Sequence, residues 1–315
     1  MKPWKIGKSY KVAFSRDGQL LATLGRDVFI WDLALKSKVV RSHPFSHPSY
    51  AAFSPDQRYL AVKNTSGQIV IIDARSGRTV IDFKNAADGE GSNLEYSSCG
   101  QFIVDGTWNG RLSVRCASSG AREFVQDFGG EMICGVHSSG DGKHWIIVHG
   151  PRATSHDRPP PPDYFAIWSW PFRRGSYRVL PARIPFLRSS ALSPDGALLA
   201  VVYGAPPDTL SVFQVEDGMC AGTVPIQRGG GTPLALGWAT DGLLLGSVQE
   251  PNVVFYAWPG LQKLHELALE YASDVEFSPR DGVLALGSWQ IGWVLSADAL
   301  ATKSLPQKTN RRSRS

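Results

Sequence analysis

The feature that most constrains the fold of this chain is an internal repeat. The stretch VAFSRDGQLLATLGRDVFIWDL (residues 12–33) aligns with AAFSPDQRYLAVKNTSGQIVIIDA (51–74) and with LEYSSCGQFIVDGTWNGRLSVRCA (94–117). Four further copies begin near residues 134, 191, 235 and 275, and each is built around a polar turn. Recurrence at this spacing predicts a repeat architecture, because each unit is too small to bury its own apolar face and must stack on its neighbours.

Every copy has the same local pattern of short apolar runs joined by tight turns. In turns such as residues 15–18 (SRDG), Pro where present presets φ, Asp bonds nearby backbone, and Gly accepts a positive φ. The next run, such as residues 59–62 (YLAV), is mostly apolar, which is typical of a strand buried on both faces. A third strand and a less regular fourth strand follow. The pattern therefore predicts an all-β protein made of four-stranded antiparallel units.

One position near the end of the third strand is occupied by a bulky side chain. It is Trp31 in the first copy, and six of the seven occupants are large and apolar, as packing between adjacent sheets requires. The later occupants are Ile72, Arg115, Trp168, Phe213, Tyr256 and Leu295. The acidic residue that follows is kept only in Asp32 and Asp73.

The FSPDG-like turns and the Trp31-Asp32 ending resemble the WD-repeat family of β-propellers over nearly the whole chain. The resemblance implies one seven-bladed propeller over residues 1–305, although no copy opens with the Gly-His dipeptide of that family. In the family, the N-terminal segment usually supplies the outer strand of the last blade. Residues 4–9 are placed to do so, and residues 302–305 are the competing strand. Closure of the ring removes exposed sheet edges.

Composition and charge exclude several classes of protein. No apolar run approaches the ~20 residues that a membrane helix needs, and the first residues lack the apolar stretch of a secretory signal. The four cysteines are scattered without a CxxC pair, which predicts reduced thiols in a cytoplasmic protein. The net charge of +5 belongs to the C-terminus, because residues 303–315 contain five basic residues and no acid.

The last residues, 306–315, are basic and have no aromatic side chain, so we expect a disordered tail. Such a tail is compatible with a nuclear-localisation signal or a nucleic-acid-binding arm, which would place a eukaryotic protein in the nucleus. The alternative is disorder without a function.

The residues that break the repeat are the candidates for function. Trp108 and Trp289 occupy the turn after the second strand in the third and seventh copies. Tyr203 and Arg26 lie at the equivalent end in the fifth and first copies. Because Trp, Tyr and Arg are the side chains most enriched at interaction hot spots, we expect these four to contact a partner. Packing against neighbouring loops is the alternative.

A polar insertion, HGPRATSHDRPPPPDY (residues 149–164), separates the second and third strands of the fourth copy. Its four consecutive prolines predict a stiff polyproline II segment. One interpretation is that the insertion binds a partner through Arg152, Arg158 and Pro160. The alternative is a solvated surface loop that merely tolerates the inserted residues. The excess of arginine over residues 151–190 would suit an acidic protein, a phosphate-bearing ligand or nucleic acid.

The insertion also brings together side chains that can bind metals, namely His149, His156, Asp157 and Asp163. Their spacing matches no metal-site signature, and a proline-stiffened loop is a poor cage. We therefore predict no metal and no cofactor.

The sequence contains no glycine-rich phosphate loop, nucleophile elbow or paired carboxylates, so we expect a non-catalytic, monomeric scaffold that binds a protein or peptide through its loop face. One alternative is a metal-dependent propeller hydrolase similar to a lactonase. That enzyme needs acidic or histidine side chains on the inner strands, and stretches such as YKVAFS and SDVEFS offer few. The other alternative is a nucleic-acid-associated factor that uses the arginine cluster and the tail.

Overall fold

The chain folds into seven antiparallel β-sheets that form the blades of a β-propeller. The computed structural model describes residues 2–83, 89–129, 131–150, 163–184, 187–204, 207–226, 235–280 and 282–302. The all-β, seven-bladed architecture expected from the repeat is confirmed. The predicted tail, residues 306–315, and most of the insertion lie outside the described residues.

Six blades consist of four strands in sequence order. Blade one contains β2 (Lys11–Phe14), β3 (Leu20–Leu24), β4 (Val28–Asp32) and β5 (Ser37–Ser42). Blade two contains β6 (Pro48–Phe53), β7 (Tyr59–Asn64), β8 (Ile69–Asp73) and β9 (Thr79–Asp82). Blade three contains β10 (Gly91–Tyr96), β11 (Phe102–Thr107), β12 (Arg111–Cys116) and β13 (Arg122–Asp127).

The next three blades repeat this order. Blade four contains β14 (Met132–Ser138), β15 (His144–Gly150), β16 (Asp163–Ser169) and β17 (Tyr177–Ile184). Blade five contains β18 (Leu187–Leu192), β19 (Leu198–Tyr203), β20 (Asp208–Gln214) and β21 (Cys220–Ile226). Blade six contains β22 (Leu236–Trp238), β23 (Leu244–Gln249), β24 (Asn252–Ala257) and β25 (Gln262–Ala268).

Blade seven joins the two ends of the chain. It contains β26 (Ala272–Phe277), the long β27 (Val283–Ser296) and β1 (Trp4–Ser9), and a 3₁₀ helix follows at Ala297–Thr302. The first half of β27 pairs with β26, and its second half pairs with β1, with Val294 opposite Trp4. Residues 4–9 therefore supply the outer strand and close the ring, while residues 303–305 of the competing segment lie outside the described residues.

The turn between the first two strands of a blade is fixed by a Ser–Asp pair. In blade one, Ser15 Oγ donates to Asp17 Oδ1 (2.7 Å), which also accepts the N–H of Gln19 (3.0 Å). Gly18 follows with a φ of +65°, a conformation that a side chain would strain. The same Ser–Asp bond recurs in Ser54–Asp56 (2.6 Å), Ser139–Asp141 (2.6 Å) and Ser193–Asp195 (2.5 Å). The recurrent polar residues are therefore structural.

The bulky third-strand side chains pack between blades, as predicted. Trp31 is buried against Ile6 and Val294 of blade seven, and its Nε1–H donates to Thr23 Oγ1 (3.1 Å). The six equivalents are also buried: Ile72, Arg115, Trp168, Phe213, Tyr256 and Leu295. Arg115 fits because its guanidinium lies 6.0 Å from the centroid of the Phe83 ring.

A buried ion pair connects blades two and three. Lys63 (β7) is 1% exposed and Asp105 (β11) is 3% exposed, and the Lys63 Nζ lies 2.5 Å from Asp105 Oδ1. The same ammonium donates to the carbonyl oxygens of Ser92 (3.1 Å) and Gly106 (2.9 Å). All three N–H groups of the lysine are satisfied, as a buried charge requires.

Candidate partner-binding face and central channel

The turns after the second strands place the four predicted contact residues at one end of the blades. Trp108 lies between β11 and β12, Trp289 lies within β27, Tyr203 ends β19, and Arg26 lies between β3 and β4. We call this end the channel face, because both tryptophans border the central channel. Arg152, Arg158 and Pro160, from the insertion in blade four, lie outside the described residues.

Trp289 is held in place by its neighbours but remains exposed to solvent. Its ring stacks on Tyr10 with a centroid separation of 4.4 Å and an angle of 21°, and Lys8 Nζ lies 6.0 Å from the indole. Tyr10 is anchored in turn, because its hydroxyl donates to the carbonyl oxygens of Pro48 and Gly25. The Trp289 side chain is nevertheless 41% exposed. An anchored and exposed indole loses little conformational entropy when a partner covers it.

Trp108 is similarly exposed, at 40%. Its backbone N–H donates to the Glu90 carbonyl (2.8 Å), and the turn is closed by a hydrogen bond from the Gly110 N–H to the Thr107 carbonyl (3.1 Å). The backbone of the turn is therefore fixed while the indole faces solvent.

Tyr271 is an exposed aromatic residue that the sequence reasoning missed. It is 47% exposed, and its carbonyl accepts the backbone N–H of Trp289 (3.0 Å). The available signal was an aromatic residue in the turn just before the inner strand β26.

Tyr203 and Arg26, the other two predicted contact residues, differ in how accessible their polar groups are. The Tyr203 hydroxyl lies 3.2 Å from Ser211 Oγ, which lies 2.9 Å from Thr223 Oγ1, so its polar end is directed into blade five. Arg26 is exposed beside Asp27, a buried residue whose carboxylate binds Arg41 (2.7 Å) and lies 3.0 Å from His43 Nδ1. Asp27 thus anchors the turn and leaves the Arg26 side chain exposed.

The central channel has a volume of about 1040 Å³ and is lined by the inner strands. The sequence predicts few ionisable groups there, but the structure places six acidic, basic or histidine side chains on the strands that line it: Lys11, Glu95, His137, Arg188, Asp274 and Glu276. The missed signal is a shared motif, because SNLEYS (residues 92–97) and SDVEFS (273–278) carry polar side chains at matching inner-strand positions. Alternation along a strand turns both polar positions to the same side.

Four of these polar side chains connect neighbouring blades. Asp274 Oδ2 accepts the N–H of Val12 (2.9 Å), and Glu276 Oε1 accepts the N–H of Phe14 (3.1 Å). The matching residues in blade three, Asn93 and Glu95, accept the N–H groups of Val136 and Ser138, both at 2.9 Å. These bonds satisfy backbone groups at the inner sheet edges, which have no strand partner on the channel side.

The charges in the channel are strongly perturbed. Burial lowers the pKa of Lys11, but Asp274, 2.8 Å from its Nζ, outweighs that effect and raises the pKa to about 12. Burial raises the pKa of Glu95 to about 7, against the hydrogen bonds from Ser138. Burial, with a contribution from Asp274, raises the pKa of Glu276 to about 8. Burial also lowers the pKa of His137 to about 4, so this imidazole is neutral at neutral pH.

The metal-capable residues of the insertion are not brought together in the described structure. His149 belongs to β15 rather than to the loop, is buried, and packs its ring 4.3 Å from that of Phe128. His156 and Asp157 lie outside the described residues, and Asp163 begins β16. Within the described ranges, no group of three His, Cys, Asp or Glu side chains is arranged to hold a metal ion.

Two further properties bear on the expected class of protein. None of the four cysteines forms a disulfide. Across the described part of the chain, no helix has the length and apolar character that crossing a membrane requires.

Comparison with known proteins shows the fold alone. No protein-family model matches the sequence, and no curated protein matches it. Among solved structures, the hydrazine synthase of Kuenenia stuttgartiensis is similar, with a TM-score of 0.74 and 14% identity over 91% of this chain and 95% of that chain. The β-propeller domain of Myceliophteria thermophila Cps50 (Swd1) also has a TM-score of 0.74, with 13% identity over 93% of this chain and 99% of that chain. At this level of identity, the two neighbours establish the propeller and leave its activity undecided.

Proposed function

We propose that this protein is a divergent WD-repeat propeller that acts as an interaction adaptor and binds a protein or peptide partner on its channel face. The observation that carries the proposal is the exposure of two indoles, Trp108 and Trp289, at the border of the same channel. An indole is a costly group to leave in water, and exposed aromatic anchors of this kind mark interfaces.

The surrounding groups favour a partner that combines apolar and polar contacts. Tyr271 adds an exposed aromatic side chain next to Trp289 in the fold, Lys8 adds a donor near the indole, and Arg26 adds an exposed cation at the same end of the blades. The channel below supplies carboxylate acceptors. An aromatic centre with charged groups around it is the usual composition of an interaction hot spot.

The test is affinity purification from the native organism with tagged wild-type protein and with Trp108→Ala and Trp289→Ala. We expect both variants to fold and to lose the partner, with the dissociation constant of the purified complex raised about 30-fold for a hot-spot residue worth about 2 kcal/mol. Leu243→Ala is the matched control, because Leu243 is 57% exposed in a turn at the opposite end of the blades.

The outcome separates an interface from structural packing. If both tryptophan variants bind the partner as the wild type does and melt several degrees lower, the indoles are structural and the proposal is wrong. Loss of the partner with Leu243→Ala alone would place the interface on the opposite face.

A further inference from the structure

Three polar side chains from consecutive blades meet on the wall of the channel. His137 (β14) has its Nε2 2.8 Å from Ser190 Oγ (β18), and its Nδ1 lies 4.0 Å from Glu95 Oε1 (β10). The order is hydroxyl, imidazole, carboxylate. The longer separation exceeds a direct hydrogen bond, as is common in unliganded sites where contacts tighten with substrate.

The propeller itself does not require this arrangement. The strand registers of the blades superimpose, so the three positions can be compared in another set of consecutive blades. In blades seven, one and two, the positions of Glu95, His137 and Ser190 are occupied by Glu276, Ala13 and Ala51, respectively. Glu276 forms the same bond to the next blade as Glu95 does, with alanines in place of the histidine and the serine. The glutamate at this position therefore serves the junction between blades, and that junction requires neither the imidazole of His137 nor the hydroxyl of Ser190.

Gly135 makes room for the pair. A Cβ at this position would lie 2.8 Å from Ser190 Oγ and 3.0 Å from His137 Nε2, so a side chain would force the two apart. The residues at the matching position elsewhere include Asn93 and Asp274, which cap the inner N–H of the next blade. Gly135 has no side chain with which to cap the N–H of Ser190.

The uncapped backbone supplies a donor beside the hydroxyl. Ser193 N–H donates to the Leu198 carbonyl across β18 and β19. Because hydrogen-bonding direction alternates along a strand, the N–H groups of Ser190 and Leu192 point away from β19 toward the channel. The Ser190 N–H, on the same residue as the hydroxyl, is a donor of the kind that stabilises the oxyanion of a tetrahedral intermediate.

The imidazole is in the neutral form that a proton acceptor requires. Burial keeps His137 neutral at neutral pH. Glu95 Oε2 accepts the N–H (2.9 Å) and the Oγ–H (2.7 Å) of Ser138, which fixes the carboxylate with Oε1 toward His137 Nδ1. That placement favours the tautomer with hydrogen on Nδ1 and a lone pair on Nε2.

We propose that Ser190 is a nucleophile activated by His137, with Glu95 as the positioning residue, and that it reacts with small carboxylic esters that enter the channel. Ser190 Oγ bonds to the ester carbonyl carbon, and its proton moves to His137 Nε2. The bond to the leaving alcohol then breaks, and the alcohol takes that proton. Water repeats the sequence on the acyl-serine and releases the carboxylic acid. The activity is separate from partner binding and contradicts the expectation that the chain is not an enzyme.

The test treats the full chain with a fluorophosphonate probe and maps the adduct by mass spectrometry. Ser190 Oγ bonds to phosphorus, the phosphorus–fluorine bond breaks, fluoride leaves, and the proton passes through His137 to solvent. We expect one adduct, on Ser190, that is absent in Ser190→Ala and forms at least about 100-fold more slowly in His137→Ala. Both variants copy residues that the fold already accepts at Ala51 and Ala13, and melting temperatures check that they fold.

Two further variants sharpen the result. Ser189→Ala is the matched control and should label at the wild-type rate. Glu95→Gln keeps an acceptor for Ser138 but removes the charge, so we expect slower labelling and a changed pH profile, which a purely structural role would not produce. Hydrolysis of p-nitrophenyl acetate by the wild type should exceed that by Ser190→Ala. No adduct on Ser190, unchanged labelling in His137→Ala, or equal ester hydrolysis in Ser190→Ala would each overturn the proposal.

Discussion

The ion pair between Lys63 and Asp105 allows a quantitative test of how the blades are held together. Both side chains are almost fully buried, and the ammonium has three acceptors, of which two are backbone carbonyls of blade three. Removal of one partner leaves the other buried charge without its ionic partner. We therefore expect Lys63→Met or Asp105→Leu alone to lower the free energy of unfolding by about 3–5 kcal/mol.

The double variant distinguishes charge burial from loss of packing. With both charges replaced by apolar side chains of similar size, no uncompensated ion remains, and the stability should return close to that of the wild type. The two single losses therefore should not add, and the coupling energy in the double-mutant cycle should be several kcal/mol.

Urea unfolding followed by tryptophan fluorescence, together with thermal melting, measures these differences. At about 2–4 °C per kcal/mol, each single variant should melt roughly 6–20 °C below the wild type. Lys143→Met is the control, because Lys143 is 77% exposed in its pair with Asp141 and should change stability by less than about 1 kcal/mol. Single losses near 1 kcal/mol, or a double variant as unstable as the sum of the singles, would refute the reasoning.

Two other predictions follow from the ring and the channel. Deletion of residues 2–9 removes the outer strand of blade seven and exposes the edge of β27. We therefore expect a much lower melting temperature, together with aggregation that light scattering detects. An unchanged melting temperature would contradict the role of β1 in closing the ring. The raised pKa of Glu276, about 8 against an ordinary 4.5, means that its contribution to stability is complete below about pH 4.5 and is lost as pH rises through 8. Glu276→Gln should therefore flatten the fall in the urea midpoint between pH 5 and pH 9, whereas an unchanged slope would show that this carboxyl does not titrate in that range.

Much of the fold could be predicted from the sequence because the same pattern of strands and turns recurs along the chain. Trp31 and its later equivalents are recognisable since burial between sheets demands bulk, and even Arg115 obeys that rule by lying against Phe83. Residues 4–9 were one of two candidates for ring closure, and only pairing with β27 decides between them. Long-range pairing of this kind leaves no local pattern.

The channel was harder to predict because its groups are distant in sequence. Glu95, His137 and Ser190 come from three blades, and no spacing within one segment brings them together. The repeat did contain a usable signal, since alignment of the inner strands places His137 where blades one, two and five have alanine, and Ser190 where every other blade has an apolar residue. The partner-binding residues stay predictions, and for Tyr203 the structure adds that its hydroxyl is engaged inside the blade.

Closure of the ring by β1 has a consequence for how the protein is made. The strand at residues 4–9 is synthesised long before its partner within β27, which ends at residue 296. At a synthesis rate of about 5–20 residues per second, the early strand waits roughly 15–60 s before its partner exists. During that interval blade one can fold, but its packing partners Ile6 and Val294 are not yet in place around Trp31. A nascent chain of this design is therefore open to wrong pairing until β27 has emerged and paired with β1.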